Sequence, residues 1–299
     1  MVNYNKKTSS IFNVPNSILM LAVIFLTLFP FLHIIAIAFN TGADTDRGFI
    51  TIYPRAFTLD NFKLVFSANG FVSSCIVSVG RTLIGTILTL IVTFGAAYAF
   101  TRRELPGRKF FIGFVMLPMF FSGGLIPYYI LVTLSGLPNN FLVYILPTLF
   151  GVFNMIVMRT YIGSAIPEGI EESAKIDGAN ELQIFFRIMI PLCKPILATV
   201  AIWVAVYHWN DWTTSLYFVS KPSMHTLQYK LYQLMQDAQR MNEMILNAAM
   251  MGGAITRRPP PQESMVAAQI VITTIPIIII YPFLQRYFVK GVAIGSIKG

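Results

Sequence analysis

The sequence predicts an all-α, polytopic membrane protein: a bundle of six transmembrane helices. Of its 299 residues, 55% are hydrophobic and only 12% are charged, which is about half the charged fraction of a soluble domain. The apolar residues form blocks of about 20, long enough for a helix to cross a bilayer. Lys and Arg collect between alternate blocks, as they do in cytoplasmic loops. A bundle in the lipid bilayer therefore explains the net charge of +9 without a nucleic acid partner.

The first two predicted spans lie on either side of a polar outer loop. The first span covers residues 18–39, and its segment 36–38 resembles a signal-peptidase site. Because the apolar run is longer than a signal core and further spans follow, we expect an uncleaved span. The second span covers residues 71–100 and contains Arg81. We expect Arg81 to snorkel outward or to form an internal salt bridge, rather than to act in transport.

Four further spans follow a basic loop at residues 101–109, which contains four Lys and Arg residues and is therefore cytoplasmic. The third span contains Pro and Gly breaks, which are tolerated where neighbouring helices satisfy the backbone or where it lines a cavity. The predicted bounds of these spans are 110–134, 141–158, 196–219 and 264–284. Six spans place both termini in the cytoplasm.

The cytoplasmic segment 166–195 predicts two short helices joined by a sharp turn. Gly178 suits the left-handed residue that ends the first helix. Asn180 and Gln183 have the spacing of a capping box at the start of the second helix. Four apolar residues then recur at helical spacing and predict one apolar stripe. They are Leu182, Phe185, Phe186 and Met189.

The sequence lacks the motifs of the common catalytic sites. It has no Gly-rich loop followed by Lys-Ser or Lys-Thr, no His-Glu-x-x-His and no Gly-x-Ser-x-Gly. Cys75 and Cys193 form neither a disulfide framework nor a zinc spacing, so we expect no metal and no catalytic residue. These observations predict a transport subunit powered by a partner, not an enzyme.

Two alternatives are considered beside a powered permease. An ion channel or secondary transporter needs carboxylates inside the membrane, and the spans offer only Asp211, near a boundary. A membrane scaffold needs no conduction path, whereas the broken third span and the polar Asn154 indicate a cavity. Co-purification with neighbouring gene products distinguishes these classes, because a transporter brings an ATPase with it.

The segment from Glu172 to Pro191 resembles the EAA loop of ABC-importer permeases. In that loop Glu-Ala-Ala is followed by three residues, Gly, nine residues and Ile-x-Leu-Pro; this sequence differs at Ser173 and Ile190. The string AKIDGANELQIFFRIMIP is typical of the six-span, maltose-type branch for carbohydrate uptake. The strings GGLIPYYILV, VFNMIVMRTYI, YHWNDW and FVKGVAIGSIKG resemble its oligosaccharide and polysaccharide subgroup. The resemblance covers nearly the whole chain.

The resemblance implies a type I ABC importer in the bacterial cytoplasmic membrane. This chain would pair with a second homologous permease, two ATPases that bind ATP and Mg, and an extracytoplasmic solute-binding protein. Segment 164–194 would couple to one ATPase, although Glu172 also suits a partner of the helix dipole. The residues implied in coupling are Glu172, Ala174, Asp177, Gly178, Ile188 and Pro191.

The identity of the saccharide is left open by the sequence. Aromatic faces and hydrogen-bonding side chains that suit a sugar path are Tyr128, Tyr144, Asn154, Trp209 and Asn210, and each also suits packing or interface anchoring. Arginines in the outer loops suit an acidic oligosaccharide or an acidic face of the binding protein. They are Arg47, Arg55, Arg240, Arg257 and Arg258.

The predicted organisation is a cytoplasmic N-terminus at residues 1–17, a permease domain at 18–290 and a cytoplasmic tail at 291–299. The tail resembles one that reaches the ATPase interface in maltose-type permeases. The outer loop 220–263 is too long for a simple connection, and its segment 227–251 is amphipathic. We expect this loop to meet the binding protein, because the equivalent loop of maltose-type permeases does so.

Overall fold

The computed structural model describes residues 6–121, 123–167, 169–250 and 262–295. Within these residues the structure is helical, apart from turns and an isolated bridge between Asn40 and Phe57. Short 3-10 turns occupy Phe141–Tyr144, Leu146–Thr148 and Pro222–Met224, and Ile184–Met189 is a π-helix. The α-helices are α1 (Lys6–Ala38), α2 (Gly42–Thr45), α3 (Asp60–Ser67), α4 (Phe71–Ala99), α5 (Arg108–Phe120), α6 (Leu125–Leu134), α7 (Val152–Ala165), α8 (Gly169–Ile176), α9 (Glu181–Gln183), α10 (Ile190–Leu192), α11 (Lys194–Asn210), α12 (Thr213–Phe218), α13 (Leu227–Met250) and α14 (Gln262–Gly295).

Among the described residues, three single helices are long and apolar enough to cross a membrane: α1, α4 and α14. Three bent pairs qualify when each pair is counted as one span. The helices meet at 117° between α5 and α6, at 50° between segment 141–148 and α7, and at 79° between segment 181–192 and α11. The sum is up to six spans, the number that the sequence predicts. In the last pair, the sequence places segment 181–192 on the cytoplasmic side, so α11 is the part expected to cross the membrane.

The predicted bounds of the fifth span are wrong. The fifth span was expected to reach residue 219, but α11 ends at Asn210 and α12 is a separate helix. Asp211 Oδ1 accepts hydrogen bonds from the backbone N–H groups of Thr213 (3.0 Å) and Thr214 (3.3 Å), so it starts the new helix as a capping side chain does. The sixth span agrees with the prediction of residues 264–284: the apolar part of α14 is Glu263–Ile280, and the helix itself ends at Gly295.

The chain divides into two compact units. One falls within Met1–Asn69 and Leu231–Ile275, and the other within Gly70–Lys230 and Pro276–Gly299. The second unit contains a core in which α4, α7 and α11 pack together with segment 166–195, which the sequence predicts to be cytoplasmic. Its buried residues include Phe94, Met155, Met158, Val200 and Val204, together with Ala174, Ile184 and Met189 from the cytoplasmic segment. The cytoplasmic segment therefore shares a core with the membrane helices of this unit.

The first unit is organised by a buried asparagine at the end of α1. Asn40 donates hydrogen bonds to Asp44 and to Thr45 (both 3.1 Å), and Asn61 donates to the carbonyl oxygens of Ala38 (2.9 Å) and Asn40 (2.8 Å). The hydrogen bond from Asn40 lowers the pKa of Asp44, although burial opposes it. Residues 36–38, which resemble a signal-peptidase site, are buried at this junction.

Candidate coupling surface and polar cavity

The turn between α8 and α9 is a Schellman motif. Ala179 N–H donates to the Ala174 carbonyl (2.9 Å), and Gly178 N–H donates to the Lys175 carbonyl (3.0 Å). Gly178 has a φ of 84°, and a Cβ built there would meet nothing within 4 Å. Its requirement for glycine is therefore conformational and not steric. This confirms the predicted left-handed turn.

The predicted capping box is also confirmed. Gln183 N–H donates to Asn180 Oδ1 (2.8 Å), and Asn180 N–H donates to Gln183 Oε1 (2.9 Å). Two N–H groups that the first turn of α9 leaves without a partner are thus satisfied reciprocally. The two short helices are fixed by local bonds that the sequence alone indicates.

The predicted single apolar stripe is wrong. Leu182 and Phe186 are exposed, while Ile184 and Met189 are fully buried. The reason is the π-helix Ile184–Met189, whose i→i+5 repeat brings residues five apart to one side. The apolar residues therefore form an inner face that packs on the core and an outer face that is free in the described chain. We call residues 164–194 the coupling unit.

The outer face of the coupling unit is apolar to an unusual degree for a polar segment. The exposed fractions are 86% for Ile176, 69% for Leu182 and 57% for Phe186. Asp177 and Gly178 lie in the exposed turn between the first two of them. Isolated exposed apolar residues are common, but a group on one short rigid unit indicates a partner surface.

The six predicted coupling residues occupy different environments. Glu172, Asp177, Gly178 and Pro191 are exposed, whereas Ala174 is buried and Ile188 is half-buried against the core. The structure thus assigns Ala174 and Ile188 to packing of the coupling unit, and leaves the other four available to a partner.

An ion-pair cluster, which no local sequence pattern indicates, attaches the coupling unit to the loop after α4. Arg102 contacts Glu171, Glu181 (2.8 Å) and the Tyr98 hydroxyl, and Lys175 pairs with Glu181 (2.9 Å). Burial raises the pKa of Glu171, although the Arg102 charge opposes it. The hydrogen bond from Lys175 lowers the pKa of Glu181. We call these five residues the Arg102 cluster.

A second buried ion pair joins α4 to the segment after α11. Arg81 has no exposed surface, and its Nη2 donates to Asp211 Oδ2 at 2.5 Å while Nη1 donates to the Asp211 carbonyl at 3.0 Å. The guanidinium carbon lies 4.8 Å from the centre of the Tyr144 ring, a cation–π distance. Of the two expectations for Arg81, the internal salt bridge is confirmed and the snorkelling is wrong.

Three of the predicted path residues have structural partners. Tyr144 is fully buried, and its hydroxyl donates to the Met224 carbonyl (2.8 Å) and lies 2.8 Å from Ser215 Oγ. Tyr128 packs edge-on against Phe218. Asn210 is exposed and accepts a weak hydrogen bond from Gln228 (3.3 Å). Burial of Tyr144 removes it from any path in this conformation.

The other two path residues face different cavities. Trp209 lines a cavity of about 180 Å³ between α4, α11 and α14 whose walls are almost entirely apolar. Asn154 lines a second cavity of about 380 Å³, which we call the polar cavity. The walls of the polar cavity come from α4, α7, α11 and the break before α7. They are Thr89, Pro147, Thr148, Phe150, Gly151, Asn154, Trp203, Val204, Tyr207 and His208.

Several of the remaining sequence-based expectations can be located. Segment 227–251 is helical as predicted, in α13, as far as residue 250. Arg55, considered for an acidic sugar, instead pairs with Asp44 (3.0 Å). Glu168, the segment 251–261 with Arg257 and Arg258, and tail residues 296–299 lie outside the described residues.

Comparisons with known proteins identify the family. The family model described as "Binding-protein-dependent transport system inner membrane component" matches residues 91–294, more than half of the chain. This chain belongs to that family. It is therefore a multi-pass transport component of the cytoplasmic membrane and not the ATPase-bearing subunit. This result excludes the alternative of a membrane scaffold.

Individual relatives give the same result. The chain is 38% identical to Protein LplC of Bacillus subtilis (strain 168), over 99% of this chain and 98% of that protein. It is 36% identical to the polygalacturonan/rhamnogalacturonan transport system permease protein YtcP of the same organism, over 90% and 92%. A solved chain from a bacterial ABC transporter involved in the import of the acidic polysaccharide alginate matches with a TM-score of 0.84 and 28% identity, over 96% of this chain and 100% of that chain. The type I importer permease fold is confirmed.

Proposed function

We propose that this chain forms half of the translocation path of an ABC importer for oligosaccharides and that its coupling unit transmits the motion of a cytoplasmic ATPase. The proposal is supported by the two apolar faces of the coupling unit. Its outer face exposes Ile176, Leu182 and Phe186, while its inner face shares a core with α4, α7 and α11. A force applied to the outer face is therefore passed directly to membrane helices.

Burial of the apolar outer face would also favour docking to a partner. Burying one fully exposed Leu, Ile or Phe side chain contributes about 1.5–3 kcal/mol, so these three side chains would offset part of the cost of association. The partner surface is an ATPase that binds ATP and Mg; the complex contains two such ATPases and a second homologous permease. Both termini of this chain lie in the cytoplasm, on the side of the ATPases.

The names of similar transport proteins support the proposed substrate class. Permeases similar to this chain serve transport of polygalacturonan/rhamnogalacturonan and of alginate, according to their names. We propose an oligosaccharide that contains uronate units, delivered by an extracytoplasmic solute-binding protein. A secondary transporter is disfavoured, because the carboxylate considered for ion coupling, Asp211, is neutralised by Arg81 at 2.5 Å.

The proposal is tested by crosslinking and ATPase assay in the complex co-expressed with its ATPases. Ile176→Cys should crosslink to an ATPase subunit, whereas Leu134→Cys, an equally exposed residue at the end of α6, should not. ATP hydrolysis should rise when the liganded binding protein is added. Failure of Ile176→Cys to react in every nucleotide state would remove the coupling assignment.

A further inference from the structure

We propose that residues 48–53, in the loop that follows α1, anchor the chain in the headgroup layer of the outer membrane leaflet. We call these residues the anchor segment, and the whole loop belongs to the first compact unit. With the proposed cytoplasmic N-terminus, the C-terminal end of α1 is the outer end of that span. The inference goes beyond the proposed function, because neither the coupling unit nor the proposed sugar path contains these residues.

The loop between α1 and α3 is closed at its base, where α1 ends. Thr41 N–H donates to the Ala56 carbonyl (2.9 Å). Thr58 N–H donates to the Phe39 carbonyl (2.8 Å). Both ends of the loop are therefore held beside Ala38, the last residue of α1. From such a base, the residues between them can extend beyond the helix end or fold back along the helix.

His33 shows that the loop folds back. Its Nδ1–H group donates to the Thr51 carbonyl (2.9 Å), and His33 itself lies inside the apolar stretch Asn13–Ala38. At 1.5 Å per residue, His33 is roughly 7–8 Å below the outer end of the helix. Helix side chains also lean toward the N-terminus, which here is the direction of the membrane centre. The middle of the anchor segment therefore lies level with apolar turns of α1.

The length of the apolar stretch places this level at the membrane interface. Its 26 residues make a helix roughly 39 Å long. That length exceeds the ~30 Å hydrocarbon core and falls just short of the ~40–45 Å that includes both headgroup layers. When the stretch is centred, its outer turn lies among the headgroups, and His33 lies near their boundary with the hydrocarbon. The anchor segment is thus at an interfacial depth.

The anchor segment exposes large apolar side chains at this depth. The exposed fractions are 93% for Phe49, 66% for Tyr53 and 51% for Ile52, whereas Ile50 is buried. Tyr is enriched at membrane interfaces, and Phe is typical of the apolar surfaces that interfacial segments bury there. The exposed side chains therefore have the composition of a lipid contact.

The backbone holds Phe49 in its outward position. Its φ is 62°, and the φ of Gly48 is 76°. Arg55 Nη2 donates to the Gly48 carbonyl (2.8 Å), and Gly48 N–H donates to the Thr45 carbonyl (2.9 Å). A left-handed φ is uncommon for Phe, and such a conformation persists where the surrounding bonds impose it, often at functional positions. The display of a strained and almost fully exposed aromatic residue indicates a partner surface.

The surface of α1 beside the anchor segment identifies lipid as that partner. The Phe29 ring stacks on the His33 ring, with 6.2 Å between centroids and 4° between planes. Phe25, one turn closer to the membrane centre, lies 5.8 Å from Phe29, and both rings are exposed. No residue in the most apolar window of this helix is buried. The anchor segment therefore continues the surface by which α1 meets lipid, at a depth that a water-soluble binding protein does not reach.

The test measures the access of lipid and of water to the anchor segment in proteoliposomes that contain the complete transporter. In a Cys75→Ser and Cys193→Ser background, Phe49→Cys and Tyr53→Cys are labelled separately with a small environment-sensitive fluorophore. The quenchers are aqueous iodide, a lipid with a nitroxide near its headgroup, and a lipid with a nitroxide near the end of its acyl chain.

Two further labelled positions calibrate the result. Leu26→Cys, at an exposed residue near the middle of the apolar stretch, is the lipid reference. Lys63→Cys, at an exposed residue of α3, is the water reference. We expect the shallow nitroxide to quench the anchor-segment probes severalfold more than the deep nitroxide, the reverse of the order at Leu26. Iodide should quench the anchor-segment probes severalfold less than the probe at Lys63.

His33→Phe tests what sets the depth of the loop. It keeps a ring to stack on Phe29 but removes the hydrogen bond to Thr51. Iodide quenching of the probe at Phe49→Cys should rise about twofold, because a lost hydrogen bond favours release of the loop, while the probe at Leu26→Cys is unchanged. Equal quenching with and without this variant would overturn the role of His33 in setting the depth.

Two results would overturn the lipid contact itself. Iodide quenching of both anchor-segment probes as strong as at Lys63 would show that the loop stands in water. Shielding of both probes from all three quenchers would show that a protein surface covers the anchor segment. That surface would belong to the binding protein if the shielding requires its addition, and to the partner permease otherwise.

Discussion

Separating the buried pair of Arg81 and Asp211 tests the architecture of the outer end of the bundle. Replacing one partner leaves the other charge in a largely buried site, since the side chains of Arg81 and Asp211 are 0% and 8% exposed. Loss of one partner of such a pair costs about 3–5 kcal/mol. Asp211→Leu should be the worse of the two single variants, because it also removes the cap for Thr213 and Thr214 and so adds about 1 kcal/mol.

The double variant provides the sharper comparison. Arg81→Leu with Asp211→Leu leaves no buried charge, so its cost should be smaller than that of Asp211→Leu alone. The buried thiol of Cys193 reports unfolding, since it reacts with a thiol dye only when the core opens. The assay is the dye-detected melting temperature of the solubilised complex in a Cys75→Ser background. A melting temperature of Asp211→Leu equal to that of the parent, or a double variant less stable than both single variants, would refute the reasoning.

Three further predictions concern coupling and docking. Gly178→Val should strain a left-handed turn by roughly 1–2 kcal/mol. Uptake assays should then show the loss of most transport, while immunoblotting shows a membrane level of the permease within about twofold of the parent. Normal ATP-coupled uptake would contradict this prediction. Arg102→Leu should reduce uptake per ATP hydrolysed because it releases the coupling unit from the loop after α4, and the ratio of the two rates checks this. Cysteines at Gln239 and Asn247 of α13 should crosslink to the binding protein in the ATP-trapped complex; if both react only within the permease in every state, the outer loop is a structural lid.

Local chemistry explains which parts of the coupling unit were predictable from sequence. The Schellman turn at Gly178 and the capping box of Asn180 and Gln183 depend on residues within six positions of one another. The π-helix that divides the apolar stripe depends instead on packing of Ile184 and Met189 against distant helices. Helical spacing alone therefore predicted the wrong face for Leu182.

The ion pairs and the polar cavity depend on contacts that no local pattern encodes. Arg81 and Asp211 are 130 residues apart, and Arg102 and Glu181 are 79 apart. The sequence marked Arg81 as a charge that required a partner, but it could not select Asp211. His208 gave no signal of its own, because its place in the wall of the polar cavity exists only in the folded bundle.

Uptake by proteoliposomes tests the central claim most directly. The vesicles contain this chain, its partner permease and the ATPases, with ATP inside and the binding protein and a labelled galacturonate oligosaccharide outside. The account predicts accumulation above the external concentration only when ATP and the binding protein are both present. Accumulation without either of them, or accumulation driven by an ion gradient alone, would contradict the assignment of this chain as the permease of a binding-protein-dependent oligosaccharide importer.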